Sequence, residues 1–111
     1  MISQLNKIKS VLLTLKDEHP EVSVSHFTAL RKTAPYIVWA EDSETSSVEG
    51  DDHKIQQAIQ GTIDLFTKIE NDALIDAIQE ALITARISFY LNSVQYEEDT
   101  QYIHYEWVFT V

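Results

Sequence analysis

Two short clusters of acidic residues are the first places in this sequence where chemistry could occur. Asp51 and Asp52 stand beside His53, and residues 97–99 are Glu-Glu-Asp. Carboxylate oxygens are the ligands that Ca²⁺ and Mg²⁺ prefer, but neither cluster has the spacing of a known cation-binding loop. Nothing in the sequence around them indicates the walled pocket that acid–base catalysis needs. We therefore predict no metal site and no catalytic pair of carboxylates.

The other reactive residue types are arranged without a catalytic or cofactor-binding motif. No two of the four histidines stand at the spacing of metal ligands, and no serine lies in a nucleophile-elbow motif. Two glycines are too few for a phosphate-binding loop, and the chain has no cysteine for thiolate chemistry. We therefore expect that the protein is not an enzyme and binds no cofactor.

The charge balance limits the partners that the protein can have. The chain has 18 acidic and 8 basic residues and a net charge of −10, so its surface repels the phosphate backbone of nucleic acids. The acidic surface serves solubility or meets a basic partner protein. No apolar run approaches the roughly 20 residues of a membrane span, and the N-terminus lacks a signal-peptide core. We therefore expect a protein made in the cytoplasm that does not contact a membrane.

Six of the acids are concentrated in one segment that contains no basic residue. The segment follows an apolar run, Tyr36 to Ala40, that is typical of a central strand. Its serines, threonine and glycine are typical of a mobile, solvated loop, which we expect at about residues 42–52. The acids are Glu41, Asp42, Glu44, Glu49, Asp51 and Asp52.

Helical spacing of apolar residues occurs twice. The spacing predicts an amphipathic helix from about Ile2 to Leu15, with Ser3 as its N-cap and Pro20 as its stop. A second apolar stripe predicts a helix that starts after Asn71, its predicted N-cap, and ends before residue 86.

The remaining apolar segments predict strands. They are residues 21–30, 36–40, 53–68, 87–96 and 102–111, with a turn at residues 97–100 between the last two. Segment 53–68 also fits helical spacing, but Gly61 within it and the β-branched residues after it favour a strand. Sixteen extended residues would span about 53 Å, so this strand must bend at Gly61 or reach a partner chain. The apolar parity of segment 87–96 slips at Asn92 and Ser93, which predicts a β-bulge there.

These elements predict one α+β domain over residues 1–111. The order is α-β-β-β-α-β-β, with two helices on one face of a mostly antiparallel sheet of about five strands. The last strand places Ile103, Tyr105, Trp107, Phe109 and Val111 on one face.

Three stretches of the sequence carry a resemblance to a known family. They are PYIVWAED at residues 35–42, GTIDLFT at residues 61–67 and the ending NSVQYEEDTQYIHYEW at residues 92–107. In this order, and with the two helices, they resemble the small phage and prophage tail proteins called tail completion, tail terminator or head-tail joining proteins. The resemblance covers nearly the whole chain, and it brings no catalytic residues because the family has none.

The resemblance implies a structural protein of the virion. Such proteins form a homo-oligomeric ring, commonly a hexamer, that caps the head-proximal end of the tail tube and meets both the tube protein and the head connector. DNA passes through the ring without specific binding. We expect the six acids of residues 41–52 to line the lumen, where negative charge would keep DNA from adhering. The subunit interface is expected at Tyr36, Trp39, Ile55 and Ile59.

The residues also allow a function of a different class. An acidic protein-binding module could occupy a basic surface of a host or phage protein. The acids here are concentrated in one segment and one turn, whereas a mimic of DNA would space them along an element at phosphate-like intervals. The virion assembly protein is therefore the leading hypothesis.

Overall fold

A computed structural model describes residues 3–45 and 58–111 of the chain. Its elements are α1 (Leu5–Glu18), β1 (Ser23–His26), β2 (Tyr36–Thr45), β3 (Ala58–Thr67), α2 (Ala73–Thr84), β4 (Ser88–Glu97) and β5 (Tyr102–Thr110). Both helices pack on the same face of a five-stranded sheet. The predicted α+β class and the predicted order of elements are confirmed.

The strands of the sheet lie in the order β1-β2-β3-β5-β4. All neighbouring strands are antiparallel except β1 and β2, a parallel pair that the sequence patterns did not reveal. The connection between them, residues 27–35, ends in a cis peptide bond at Pro35. Tyr102 holds this connection to the sheet, since its hydroxyl donates to the carbonyl of Lys32 and accepts from the N–H of Ala34. β1 and β4 are the two edges of the sheet.

One apolar layer between the helices and the sheet forms the core. From the helices it takes Leu5, Ile8, Leu12, Leu15, Leu74, Ile78 and Leu82, and from the sheet Ile37, Trp39, Ile59, Ile63, Leu65, Trp107 and Phe109. The indole N–H of Trp107 donates to the side chain of Gln79 at 3.0 Å, which ties α2 to β5. Because both helices lie over this layer, no helix of residues 3–45 and 58–111 covers the opposite side of the sheet. We call that side the open face.

The ambiguous middle segment is a strand, as the glycine and the β-branched residues predicted. In β3, every second residue from Ile59 to Thr67 is buried, while the residues between them are half-buried. Gly61 belongs to the buried set, and its cross-strand partner is Phe109. The predicted residues 53–57 of this strand lie outside the described part of the chain.

Gly61 is required at its position because of space. A Cβ atom there would lie 2.6 Å from the Phe109 ring and 2.8 Å from the Cα of Glu41, and it would also collide with the carbonyl oxygen of Ala40. The φ angle of Gly61 is not positive. The absent side chain thus lets the Phe109 ring lie across β3.

Several predicted boundaries are wrong by a few residues. β1 ends at His26 and not near Leu30, because Phe27 has a positive φ of 69° and leaves the sheet. At α1, the cap position is Gln4 and no side chain caps the helix, so the predicted role of Ser3 is wrong. At α2, the N-cap is Asp72 and not Asn71.

Strand β2 extends further into the acidic segment than the composition predicted. β2 continues to Thr45, so Glu41, Asp42 and Glu44 belong to a strand paired with β3 and not to a loop. The register between the two strands shifts around Asp42. Residues 46–52, which include Glu49, Asp51 and Asp52, lie outside the described part of the chain.

We predict that Gly61→Ala destabilises the protein by about 3 kcal/mol, the upper end of what overpacking costs in a core. The cost is high because the nearest atoms belong to the backbone of β2 and cannot move aside. Urea unfolding followed by circular dichroism measures the change. Thr62→Ala, at the half-buried neighbouring position, is the control and should cost less than about 1 kcal/mol. Equal effects of the two substitutions would contradict the steric explanation.

The junction of β3 and α2 generates a second prediction. Asp72 accepts hydrogen bonds from the backbone N–H of Leu74 and from the buried hydroxyl of Thr67. We expect Asp72→Ala to lower the free energy of unfolding by about 1–2 kcal/mol, because it removes a helix cap and leaves a buried hydroxyl with one partner fewer. Asp72→Asn keeps an acceptor for Leu74 and should retain most of the stability. Thermal unfolding of both variants tests this, and a loss in the Asn variant as large as in the Ala variant would contradict it.

Candidate functional site

Three of the four residues predicted to form the subunit interface are buried within the chain. Tyr36 is 6% exposed, and Trp39 and Ile59 are each 3% exposed. Ile55 lies outside the described residues. The apolar run of β2 is thus covered within the chain: Trp39 belongs to the core layer and stacks on His26, and aromatic neighbours on the open face cover Tyr36. These side chains expose little surface to a second subunit in the single chain.

The described acids of the predicted lumen segment are partly engaged within the chain. The ring nitrogen Nε2 of His26 lies 2.7 Å from a carboxylate oxygen of Glu41, and the His26 ring stacks on Trp39 with 3.9 Å between centroids. Burial acts to raise the pKa of Glu41, but the hydrogen bond from His26, a backbone hydrogen bond and the positive charge of His26 together hold this pKa below its usual value. Asp42 accepts from the hydroxyl of Ser43. The Glu41 side chain therefore joins β2 to the edge strand β1.

The most exposed apolar surface of the sheet is the edge strand β4. Tyr90, Leu91, Val94 and Tyr96 are 58%, 44%, 51% and 61% exposed. Residues 87–96 contain no Asp, Glu, Lys or Arg, and no longer run without these residues occurs in the sequence. Edge strands usually carry charges, prolines or other features that prevent pairing with another chain. Within β4, the bulge at Asn92 and the terminal Glu97 are such features, and residues 88–96 carry no charge or proline.

An aromatic ladder crosses the open face. The rings of Tyr36 on β2, Phe66 on β3 and His104 on β5 stack in sequence, with 4.5 Å and 4.2 Å between centroids. Tyr102 meets the edge of the Tyr36 ring, and the Lys68 ammonium lies 5.5 Å from the centre of the Tyr102 ring. Burial, followed by the negative charge of Glu97 and the neighbouring Tyr102, raises the pKa of Tyr36. These contacts join three strands on the side that no helix covers.

A histidine–carboxylate pair lies at the end of this ladder. His104 Nε2 is 2.7 Å from Asp64 Oδ1, and since a carboxylate can only accept, Nε2 carries the proton. The hydrogen bond to Asp64 raises the pKa of His104; burial opposes this shift, and the charges of Asp64, Glu97 and Glu106 add to it. His104 is therefore held towards its charged form. A charged histidine stacked on Phe66 is suited to joining strands and poorly suited to accepting a proton as a general base.

A groove lies between the two helices on the side away from the sheet. It has a volume of about 550 Å³, and its lining combines small residues of α2, such as Ala77 and Ala81, with Val11 and with the acids Glu18 and Glu80. The groove is open to solvent. The hydroxyl residues Ser10, Thr14 and Thr84 and the ring of His19 also line it.

The described side chains neither gather into a metal-binding group nor leave a buried polar atom without a partner. Within residues 3–45 and 58–111, no group of three or more His, Cys, Asp or Glu side chains is placed to hold a metal ion. Every buried side-chain nitrogen or oxygen in this part of the chain has a hydrogen-bond partner, so none is poised for a ligand. The residues that sequence reasoning missed are the exposed ones of β4. The signal that could have found them is the absence of charge between Arg86 and Glu97.

Comparison with known proteins does not add to this picture. No family model matches the sequence, and a search of curated proteins finds no significant match. Neither helix described here is long and apolar enough to cross a membrane.

The His104–Asp64 pair predicts a dependence of stability on pH. Since the folded-state pKa of His104 is raised, its contribution is complete below the unfolded-state pKa of about 6.5 and is lost as the pH rises through the folded-state value. We expect the free energy of unfolding to fall by about 1 kcal/mol between pH 6 and pH 9, the order of one charge-assisted hydrogen bond. His104→Gln should remove most of this slope in urea titrations at several pH values.

The control for this measurement is His19→Gln, which alters a histidine at the end of α1 and leaves the His104–Asp64 pair intact. It should keep the slope of the unaltered protein. A slope that disappears in the His19 variant, or persists in the His104 variant, would contradict the assignment.

Proposed function

We propose that this protein is a structural component of a phage or prophage virion: a tail terminator or tail completion protein that caps the head-proximal end of the tail tube and joins it to the head. It acts as a homo-oligomeric ring through which DNA passes. The resemblance of its strands to that family supplies the biological role. The distribution of exposed apolar residues in the described chain supplies the physical support for assembly.

The observation that carries the proposal is the position of the exposed apolar side chains. Nine large apolar residues are exposed in the described part of the chain, and six of them lie at the two edges of the sheet. Phe27 follows β1 directly, and the backbone N–H of Leu30 bonds to Ser25 of that strand. The other four are the exposed residues of β4. Two different adhesive edges on one subunit allow head-to-tail contact, which generates a ring when the rotation closes.

The charge of the protein supports the passage of DNA. A net charge of −10 disfavours contact with the phosphate backbone, so DNA would slide through the ring without being retained. We place the acidic segment of residues 41–52 at the lumen. Within it, Glu41 holds the start of the segment to β1 through His26, and the acids beyond it supply the negative charge. The two faces of the ring would meet the tail tube protein and the head connector protein.

A second function, the acidic protein-binding module, has one observation in its favour. Asp64, Glu97 and Glu106 all contribute negative charge around His104 on the open face, which no helix covers. A basic protein surface could dock there. Such a module would bind its partner as a single subunit and would not require adhesive edges.

We predict that deletion of the gene from its phage yields heads without attached tails and tails of irregular length, because nothing stops growth of the tube. Electron microscopy of lysates measures both defects. Purified protein mixed with tail tubes should appear as a ring at one end only, and a reconstruction should place residues 41–52 at the lumen.

The variant Phe27→Ser with Leu30→Ser tests the edge beside β1, and Leu13→Ser, an exposed apolar residue on α1, is its matched control. The first variant should fail to decorate tube ends while the control does so normally. Normal tails in the deletion phage would overturn the proposal. Binding of a single subunit to a basic partner protein, without rings, would favour the acidic module.

A further inference from the structure

The edge strand β4 is open to pairing with another chain in the free protein. Its first nine residues, 88–96, carry no charge, and they expose side chains on both faces, a surface that pairs readily with other strands. We propose that in the free protein this edge pairs with the β4 edge of a second copy, antiparallel and about a two-fold axis, so that two five-stranded sheets become one continuous sheet. The pairing goes beyond the ring proposed above and does not depend on it.

The bulge at Asn92 determines which registers are possible. On the helix side of the sheet, β4 presents Phe89 and Leu91 before the bulge, opposite Phe109 and Trp107, and Val94 and Tyr96 after it, opposite Tyr105 and Ile103. In an antiparallel pair, residues directly opposite each other lie on the same face. Where a residue before the bulge faces a residue after the bulge of the second copy, an odd-numbered residue must therefore face an even-numbered one.

One register satisfies this condition and also pairs the strand over its full length. Ser88 then lies opposite Glu97 of the second copy, Phe89 opposite Tyr96, Tyr90 opposite Gln95 and Leu91 opposite Val94. The two bulges meet at the centre, where Asn92 faces Ser93. The helix side of the junction gathers Phe89, Leu91, Val94 and Tyr96 from both copies in one apolar cluster, which removes from water the side chains that α2 leaves exposed.

The charges at the ends of β4 complement each other in this register. Arg86 lies in the turn before the strand, and Glu98 and Asp99 lie in the turn after it, so an antiparallel pairing brings the arginine of one copy towards the acidic turn of the other. A parallel pairing would bring the two acidic turns together instead. Two chains that each carry a net charge of −10 repel one another, but residues 87–96 add no charge to that repulsion, and the Glu106 carboxylate beside the bulge accepts a hydrogen bond from Asn92.

A two-fold contact uses the same surface on both copies, so it cannot by itself build a ring whose two faces differ. The dimer and the ring are therefore alternative uses of the β4 edge. The partner at this edge in the free protein is a second copy of this chain, and it must leave before a neighbour in a ring can take its place.

Analytical ultracentrifugation of the full chain provides the first test. We expect a species of about twice the 12.7 kDa of one chain. Val94→Lys places a charge in the centre of the edge and should weaken association at least tenfold, whereas Leu13→Lys, at a similarly exposed position on α1, should leave it unchanged. A monomer throughout the concentration range, or a dimer that Val94→Lys does not weaken, overturns the proposal.

The register is tested with single cysteines, since the chain has none of its own. Opposed residues in an antiparallel pair have Cα atoms about 4.5–5.5 Å apart, within the range of a disulfide. A mixture of Leu91→Cys and Val94→Cys proteins should give the mixed disulfide in at least tenfold excess over a mixture of Leu91→Cys and Tyr96→Cys. A third mixture, of Leu91→Cys and Leu30→Cys proteins, is the control for random collision, because Leu30 is exposed and lies near β1. Equal yields in the three mixtures overturn the pairing.

The attraction between the charges at the two ends of β4 is tested by exchanging Arg86 and Asp99. Arg86→Asp should weaken the dimer several-fold, and the double variant Arg86→Asp with Asp99→Arg should recover most of the loss. Failure of the second change to restore association contradicts the antiparallel register. All of these measurements use the isolated protein, so they test the dimer alone. The dimer proposal can fail while tail assembly proceeds as proposed, and the dimer can form in a protein that has no role in a tail.

Discussion

The single apolar layer between the helices and one face of the sheet is the interaction on which this structure depends. Ile63, Leu65, Trp107 and Phe109 are completely buried in it, and they lie on the two central strands β3 and β5. Gly61 makes the layer possible, because only a residue without Cβ lets the Phe109 ring cross β3. With no disulfide in the chain, stability must come from this packing and from the contacts on the open face.

The extent of this layer decides which surfaces are left for partners. α2 is tied to β5 by the bond between Gln79 and Trp107, and its apolar side is used on β3 and β5. The helices bury less of β4, where Phe89 is half-buried but Leu91, Val94 and Tyr96 are exposed. This outermost strand therefore has the apolar composition of a buried strand, although most of its side chains are exposed. An exposed edge of this composition pairs readily with other chains, and for that reason both proposals concern contact between subunits.

The sequence predicted those features that depend on local periodicity. The two-residue alternation of β5, the bulge at Asn92 and the choice of strand over helix around Gly61 each follow from a run of ten or so neighbouring residues. Relations between distant strands leave no such signal. The parallel pairing of β1 with β2 and the ladder of Tyr36, Phe66 and His104 arise from register across the sheet, so the residue pattern could not reveal them. Tyr36 and Trp39 were assigned to an interface because an apolar run does not say whether its cover comes from the same chain.

The open face shows how a sheet with helices on one side remains stable and still offers a surface. Tyr36, Phe66 and His104 shield one another, and the bond between His104 and Asp64 joins β5 to β3 with opposite charges. A hydrophobic face of the same area would need a second layer to cover it. Aromatic stacking with a paired charge removes that need while leaving acids such as Glu106 at the surface. The hydrogen bond to Asp64 and the stacking on Phe66 use the His104 ring to join strands. The open face therefore combines side chains that hold β2, β3 and β5 together with acids that lie at its surface.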